Sequence, residues 1–193
     1  MSSTTDTPAE AGTHQTPRHE RAVEPRIPAV EEPRVRPCGH YPYLTQQEAE
    51  VMALLAADLN ALQIAEHTHA SDYAVRTRLR TLGVKLGAAT TPQIIDIACR
   101  LGLLAPPRGV LKTPISVTAI TSFQALAEGG TRSWIAAHKN VSENTVANHL
   151  ALVRSRMRTS WNAAAVYRLH GVTPLVLNAT LPPCPACAAA GAS

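Results

Sequence analysis

Ile64-Ala65-Glu66-His67-Thr68-His69-Ala70-Ser71-Asp72-Tyr73-Ala74-Val75 returns 71 residues downstream as Ile135-Ala136-Ala137-His138-Lys139-Asn140-Val141-Ser142-Glu143-Asn144-Thr145-Val146. The correspondence extends in both directions: Leu55 recurs as Leu126 and Leu79 as Leu150. No gap is needed until past Met157, where the second copy is expected to run two residues shorter. A unit of this length exceeds a solenoid repeat. It fits two small domains, each near the lower limit of what folds alone. We therefore divide the chain into an arm (1–42), a first domain (43–104), a linker (105–115), a second domain (116–172) and a tail (173–193).

Within each unit the apolar spacing is helical. Val51, Leu54 and Leu55 share one face of a segment opened by Thr45, with Glu48 three residues on. That is the spacing of a capping box. Asn60 and Ser71 are placed to cap a second and a third helix, and Pro92 suits the first turn of a fourth. Thr131 and Ser142 repeat the inner caps, while Ser116 to Ala119 lack the opening Thr-x-x-Glu pattern. β-branched alternation is absent, so the expected class is all-α, with two tandem four-helix units. The arm, with prolines at 8, 17, 25, 28, 33 and 37, is expected to be disordered. Pro106-Pro107 should hold part of the linker extended, and the tail is expected to be loose.

The chain of 193 residues carries a net charge of +4, and its distribution says more than its sum. The second unit holds six basic residues against Glu128 and Glu143 alone; the first holds five against six acids. This imbalance suits a polyanionic partner, although a solubilising surface would have the same composition. No apolar run approaches the length of a membrane span, and the Ser/Thr-rich start lacks the apolar core of a secretory signal. The expectation is a cytoplasmic protein with no membrane partner.

Leu44-Thr45-Gln46-Gln47-Glu48-Ala49-Glu50-Val51, Ile64-Ala65-Glu66, Ser71, Val75, Leu79, Lys85-Leu86-Gly87 and Arg100-Leu101-Gly102-Leu103 together resemble the LuxR/GerE-type helix-turn-helix domain. The second unit is similar over Leu126-Ala127, Gly129, Ile135-Ala136 and Val141 to Leu150, with His149 where the family often has His. It departs at Arg156-Met157-Arg158, where the family's Lys-Leu-Gly element is lost. The resemblance implies binding of double-stranded DNA in transcription regulation, without catalysis or a cofactor. It carries base contacts onto Arg76, Thr77 and Arg80, and in the second unit onto Ala147, Asn148 and Ala151. It also implies a fourth helix, roughly Pro92 to Leu103, that serves dimer contacts.

The periodicity reaches the same face independently. In the third helix Val75, Leu79, Leu82 and Leu86 form the inward stripe, so Tyr73, Thr77, Arg80 and Val84 lie opposite, with Arg76 on the flank. Arg suits guanine, and Thr suits a thymine methyl. In the second unit Val146, Leu150, Val153 and Met157 face inward; Asn144, Asn148, Ala151 and Ser155 face out. Of the matching base-contact positions Ala147, Asn148 and Ala151, only Asn148 has base-reading chemistry, toward adenine. The expected division is that the first domain reads bases while the second mainly holds phosphates. Lys85, Thr145, Arg154, Arg156 and Arg158 are the candidates for phosphate contact. Two copies in one chain can act as an intramolecular pseudo-dimer with unlike halves, and a homodimer is the other arrangement.

Other constellations point elsewhere. Cys38 and His40 with Cys184 and Cys187 could supply a zinc site of three thiols and one imidazole, though a loose tail carrying free thiols accounts for the same residues. Glu66-His67-Thr68-His69 reads as a polar turn, His170 as a helix-end histidine favoured by the helix dipole, and Trp134 and Trp161 as packing residues. No phosphate loop, HExxH pattern or nucleophile triad is present. The rival of a different class is an interaction adaptor that docks on RNA polymerase or another regulator without reading DNA. Salt-sensitive binding to duplex DNA separates the two.

Overall fold

Helix starts fall where capping side chains place them. The computed structural model describes residues 26–31, 42–109, 113–172 and 184–190. Its first half holds α1 (Gln46–Ala56), α2 (Ala61–His67), α3 (Asp72–Leu86) and α4 (Thr91–Arg100). Its second holds α5 (Val117–Ala127), α6 (Arg132–Lys139), α7 (Glu143–Met157) and α8 (Asn162–Val172), with a short α9 (Pro185–Ala190) beyond. The class is all-α; the described residues contain one isolated β-bridge and no longer strand. The Thr45 hydroxyl accepts from Glu48 N at 3.3 Å while Glu48 Oε2 accepts from Thr45 N at 2.7 Å, closing the capping box. Asn60 and Gln63 close a second box at α2. Ser116 still caps α5 from Ala119 N, although the glutamate that would complete a box is gone.

The four helix starts of the second half follow those of the first at the same 71-residue spacing, 46 to 117 through 91 to 162. The two-residue shortening expected past Met157 is therefore not present at the start of α8. The turn after α7 keeps its length and loses only its side-chain signature. Left-handed backbone recurs at the same spacing: Asp58 (φ 76°) with Gly129 (φ 100°), His69 with Asn140 (both φ 51°), and Gly87 (φ 72°) with Arg158 (φ 53°). Side chains with a Cβ resist this conformation, so three matched pairs are a backbone signature independent of residue identity.

The halves share one core. Buried residues from Val51 in α1 to Leu169 in α8 form a single apolar cluster, rather than the two separate cores expected of domains that fold alone. Its centre is the packing of α4 along α8, the most extensive helix pair among the described residues, with Ile94, Ile95 and Ile97 buried on one side and Val166 and Leu169 on the other. Asp96, 2% exposed, lies between His170 Nε2 at 2.8 Å and Arg100 Nε at 2.9 Å. His170 stands in the last turn of α8, as expected, and it also joins the halves through a buried carboxylate that needs such partners.

Flanking contacts come in a reciprocal pair. Just after α1, Asp58 accepts from Ser160 N at 2.7 Å and Trp161 N at 2.9 Å, at the start of α8. Just after α5, Gly129 sits against Gln93 near the start of α4, where Gln93 Nε2 donates to Glu128 O at 3.1 Å. A given position in each half meets the same region of the other, the arrangement a twofold relation generates. The linker lies over α8. Tyr167 donates to Ala105 O at 2.7 Å, and burial pushes its phenol up to about 12, keeping it a donor. A Cβ on Gly171 would overlap the Pro107 carbonyl.

Two expectations about the termini change. Within the arm, Val30 bridges antiparallel to Leu104, and Glu31 N donates to Leu103 O at 2.9 Å. Ordered backbone there satisfies carbonyls beyond the end of α4. Within the tail, α9 is helical and lies alongside α3. The rest of both termini lies outside the described residues.

Candidate nucleic-acid interface

The helix-turn-helix is α2 and α3, joined by the turn at Thr68–Ser71. Ile64 in α2 and Val75, Leu82 and Leu86 in α3 are fully buried and hold the pair together. The opposite face of α3 is open. Tyr73 is 80% and Val84 69% exposed, and Arg76, Thr77 and Arg80 are also exposed. Arg76 Nε pairs with Asp72 Oδ2 at 2.7 Å, one turn earlier, in a solvent-accessible ion pair. Such a pair is weak, and its use here is to extend the guanidinium along the helix. The Thr77 hydroxyl donates to Tyr73 O at 2.8 Å, which leaves its methyl and lone pairs outward. Arg80 has no hydrogen-bond or ion-pair partner among the described residues.

The expected phosphate contacts separate into two groups. Lys85 Nζ lies 2.7 Å from Glu48 Oε2, so it ties the end of α3 to the capping box of α1. Burial works to raise the Glu48 carboxyl, but hydrogen bonds from Lys85 and Thr45 outweigh it and hold the group below its ordinary range. Arg154 donates to Asn162 Oδ1 at 2.8 Å, joining α7 to α8. The Thr145 and Ser142 hydroxyls lie 2.8 Å apart at the start of α7. Arg156 and Arg158, by contrast, are exposed. They follow Asn148 by eight and ten residues, which is about 12–15 Å along a helix.

On α7 the residues Asn144, Asn148, Ala151 and Ser155 are exposed, as the periodicity predicts. His149 turns inward, with Nδ1 3.0 Å from the buried Ser122 hydroxyl of α5. Its counterpart Arg78 donates to Gln47 of α1 at 2.8 Å. Both anchor the third helix of a half on the first, a role the sequence reading missed. Trp134 is not a core residue. It is 47% exposed and stacks on His138 with ring centroids 3.8 Å apart. The repeat carried the signal, since Trp134 corresponds to Gln63, an exposed helix position. Of the cysteine–histidine set, Cys38 and His40 lie outside the described residues, and Cys184 and Cys187 belong to α9 and the residue before it. The described residues contain no group of three or more metal-ligating side chains.

Residues 42–98, which run from the buried Pro42 to near the end of α4, match GerE, the bacterial regulatory proteins of the luxR family. This segment is a luxR-family helix-turn-helix domain. A domain of this kind supports DNA binding in transcription regulation and is typically non-enzymatic. Its α3 is the helix that bears Tyr73, Arg76, Thr77 and Arg80. No curated protein and no solved structure matches the chain significantly. Among the described residues no helix is long and apolar enough to cross a membrane.

Proposed function

We propose that the chain is a sequence-specific, double-stranded DNA-binding regulator of transcription, in which the luxR-family domain reads bases in the major groove. The observation that carries this reading is the open face of α3, where two arginines one turn apart, a threonine and a tyrosine stand clear of the core. A helix presented in this way enters the major groove, and arginine there selects guanine. Residues 116–172 are read as a diverged second copy of the domain. The 71-residue helix spacing and the matched left-handed positions support that reading. Its α7 offers Asn148 to an adenine, while Thr145 and Arg154 serve the phosphate backbone. The reciprocal contacts at Asp58 and Gly129 support an intramolecular pseudo-dimer on a site with unlike halves.

Selection of bound fragments from genomic DNA at two salt concentrations tests the proposal. A motif that recurs at the higher salt is the expected result. Binding without a motif, lost as salt rises, would leave only a backbone-dependent role. No binding at either salt would favour the adaptor that docks on RNA polymerase or another regulator.

A further inference from the structure

Between the two halves lies a groove of about 1280 Å³, bounded by the ends of α1 and α7, the face of α8, the linker and residues 26–29 of the arm. None of Tyr73, Arg76, Thr77, Arg80 or Asn148 lines it. Five arginines do: Arg26, Arg108, Arg156, Arg158 and Arg168. Arg168 is committed to the fold, since its Nη1 donates to Met157 O at 2.7 Å and Arg158 O at 3.1 Å and closes the end of α7. The side chains of the other four have no hydrogen-bond or ion-pair partner among the described residues. Asp58 is the one carboxylate among the lining residues. Both its oxygens are taken by the backbone N–H groups of Ser160 and Trp161, so it does not bond to the guanidiniums.

At 158 this charge has no counterpart in the first half, and at 156 a matching charge has lost its carboxylate partner. Arg156 stands where the first half has Lys85, which is paired with Glu48, and Arg158 stands where the first half has Gly87. Arg158 holds the left-handed backbone (φ 53°) that Gly87 adopts freely. A side chain kept in a conformation that favours glycine is an outlier of the kind that collects at ligand sites. We propose that the groove binds a phosphorylated small molecule, held by Arg26, Arg108, Arg156 and Arg158. Guanidinium forks match phosphate oxygens in pairs, and a di- or triphosphate brings enough negative charge for four of them. The site is concave and lies between the halves, which suits a small ligand better than a duplex. DNA phosphates share the chemistry, so the test must tell the two sources apart.

The measurement is calorimetric titration of the full chain with inorganic tripolyphosphate and with ADP at physiological ionic strength. The wild type and the variant Arg156→Ser with Arg158→Gly are compared, and the same two proteins are titrated with duplex DNA. Saturable binding of at least one probe is expected, weakened about tenfold or more in the variant by the loss of two charge-assisted contacts. The variant should melt at or above the wild-type temperature, because glycine suits the backbone at 158, and its DNA affinity should stay within about twofold, since neither side chain is then on the duplex. Arg108→Ser, remote from that strained position, should weaken the probe in the same direction. Absence of saturable binding by both probes, or binding unchanged in both variants, overturns the proposal. So does a variant that loses affinity and salt dependence for DNA while no small probe binds, which would put these arginines on the DNA backbone. Failure of the wild type to bind DNA at all would strike the regulatory reading and leave the tripolyphosphate and ADP arms standing.

Discussion

α3 and α7 match in length and in both ends, and they present different chemistry. Each has 15 residues, a serine cap and a left-handed residue at its end. The outward face of α3 carries Tyr73, Arg76, Thr77 and Arg80; that of α7 carries Asn144, Asn148, Ala151 and Ser155. The inward stripes are nearly interchangeable, Val75 with Val146 and Leu82 with Val153, all fully buried. The comparison shows that packing fixes one face of a helix and leaves the other free to change. A shared scaffold therefore does not imply a shared ligand.

The largest expected effect tests that asymmetry directly. Arg76→Ala with Arg80→Ala should cost about 2–6 kcal/mol of specific binding if each arginine makes a paired base contact. Asn148→Ala should cost only one such contact, about 1–3 kcal/mol. Fluorescence anisotropy on the selected duplex measures both, and equal losses from the two faces would remove the division of labour. Next in size is the seam between the halves. Gly171→Ala drives a methyl into the Pro107 carbonyl and should destabilise the chain by about 1–3 kcal/mol, read by urea unfolding. A smaller loss, about 0.5–2 kcal/mol, is expected from Asp58→Ala, which uncaps the start of α8. If the halves were independent, that change would melt only one of two transitions.

The smallest effect concerns a residue found in one half alone. Glu48 corresponds to Ala119 in the second half. Its folded pKa lies below the ordinary value, lowered by the Lys85 and Thr45 hydrogen bonds against the opposing effect of burial. A depressed carboxyl contributes stability that is present above its unfolded pKa and is lost as pH falls through the folded one. Glu48→Gln should therefore flatten the acid limb of the melting temperature against pH. An unchanged limb would show that the pair with Lys85 adds nothing to acid sensitivity.

What was legible in the sequence was local. The caps at Thr45, Asn60, Ser71, Thr131 and Ser142, and the open faces of α3 and α7, depend on residues within a turn or two of each other. Contacts between helices far apart in sequence were not legible. His170 meets Asp96 from 74 positions away, and Lys85 meets Glu48 from 37; no periodicity encodes such partners. The role of Lys85 was obscured because a half-buried ammonium in an ion pair and an exposed one awaiting phosphate are the same letter. Arg158 illustrates the reverse. The lost glycine at the end of α7 looked like decay of a motif, yet the backbone there keeps the glycine conformation.

The reciprocal contacts at Asp58 and Gly129 lie within one polypeptide, so they carry no concentration term. A protein whose halves meet as separate chains must first reach the concentration at which they associate, and its response to synthesis is steep. If the two faces bind DNA together as proposed, they arrive already matched, and occupancy of a site well below saturation would rise in proportion to dosage. Joining the halves in one chain also means that α3 and α7 need not carry the same outward residues, as Arg76 and Arg80 against Ala147 and Ala151 show.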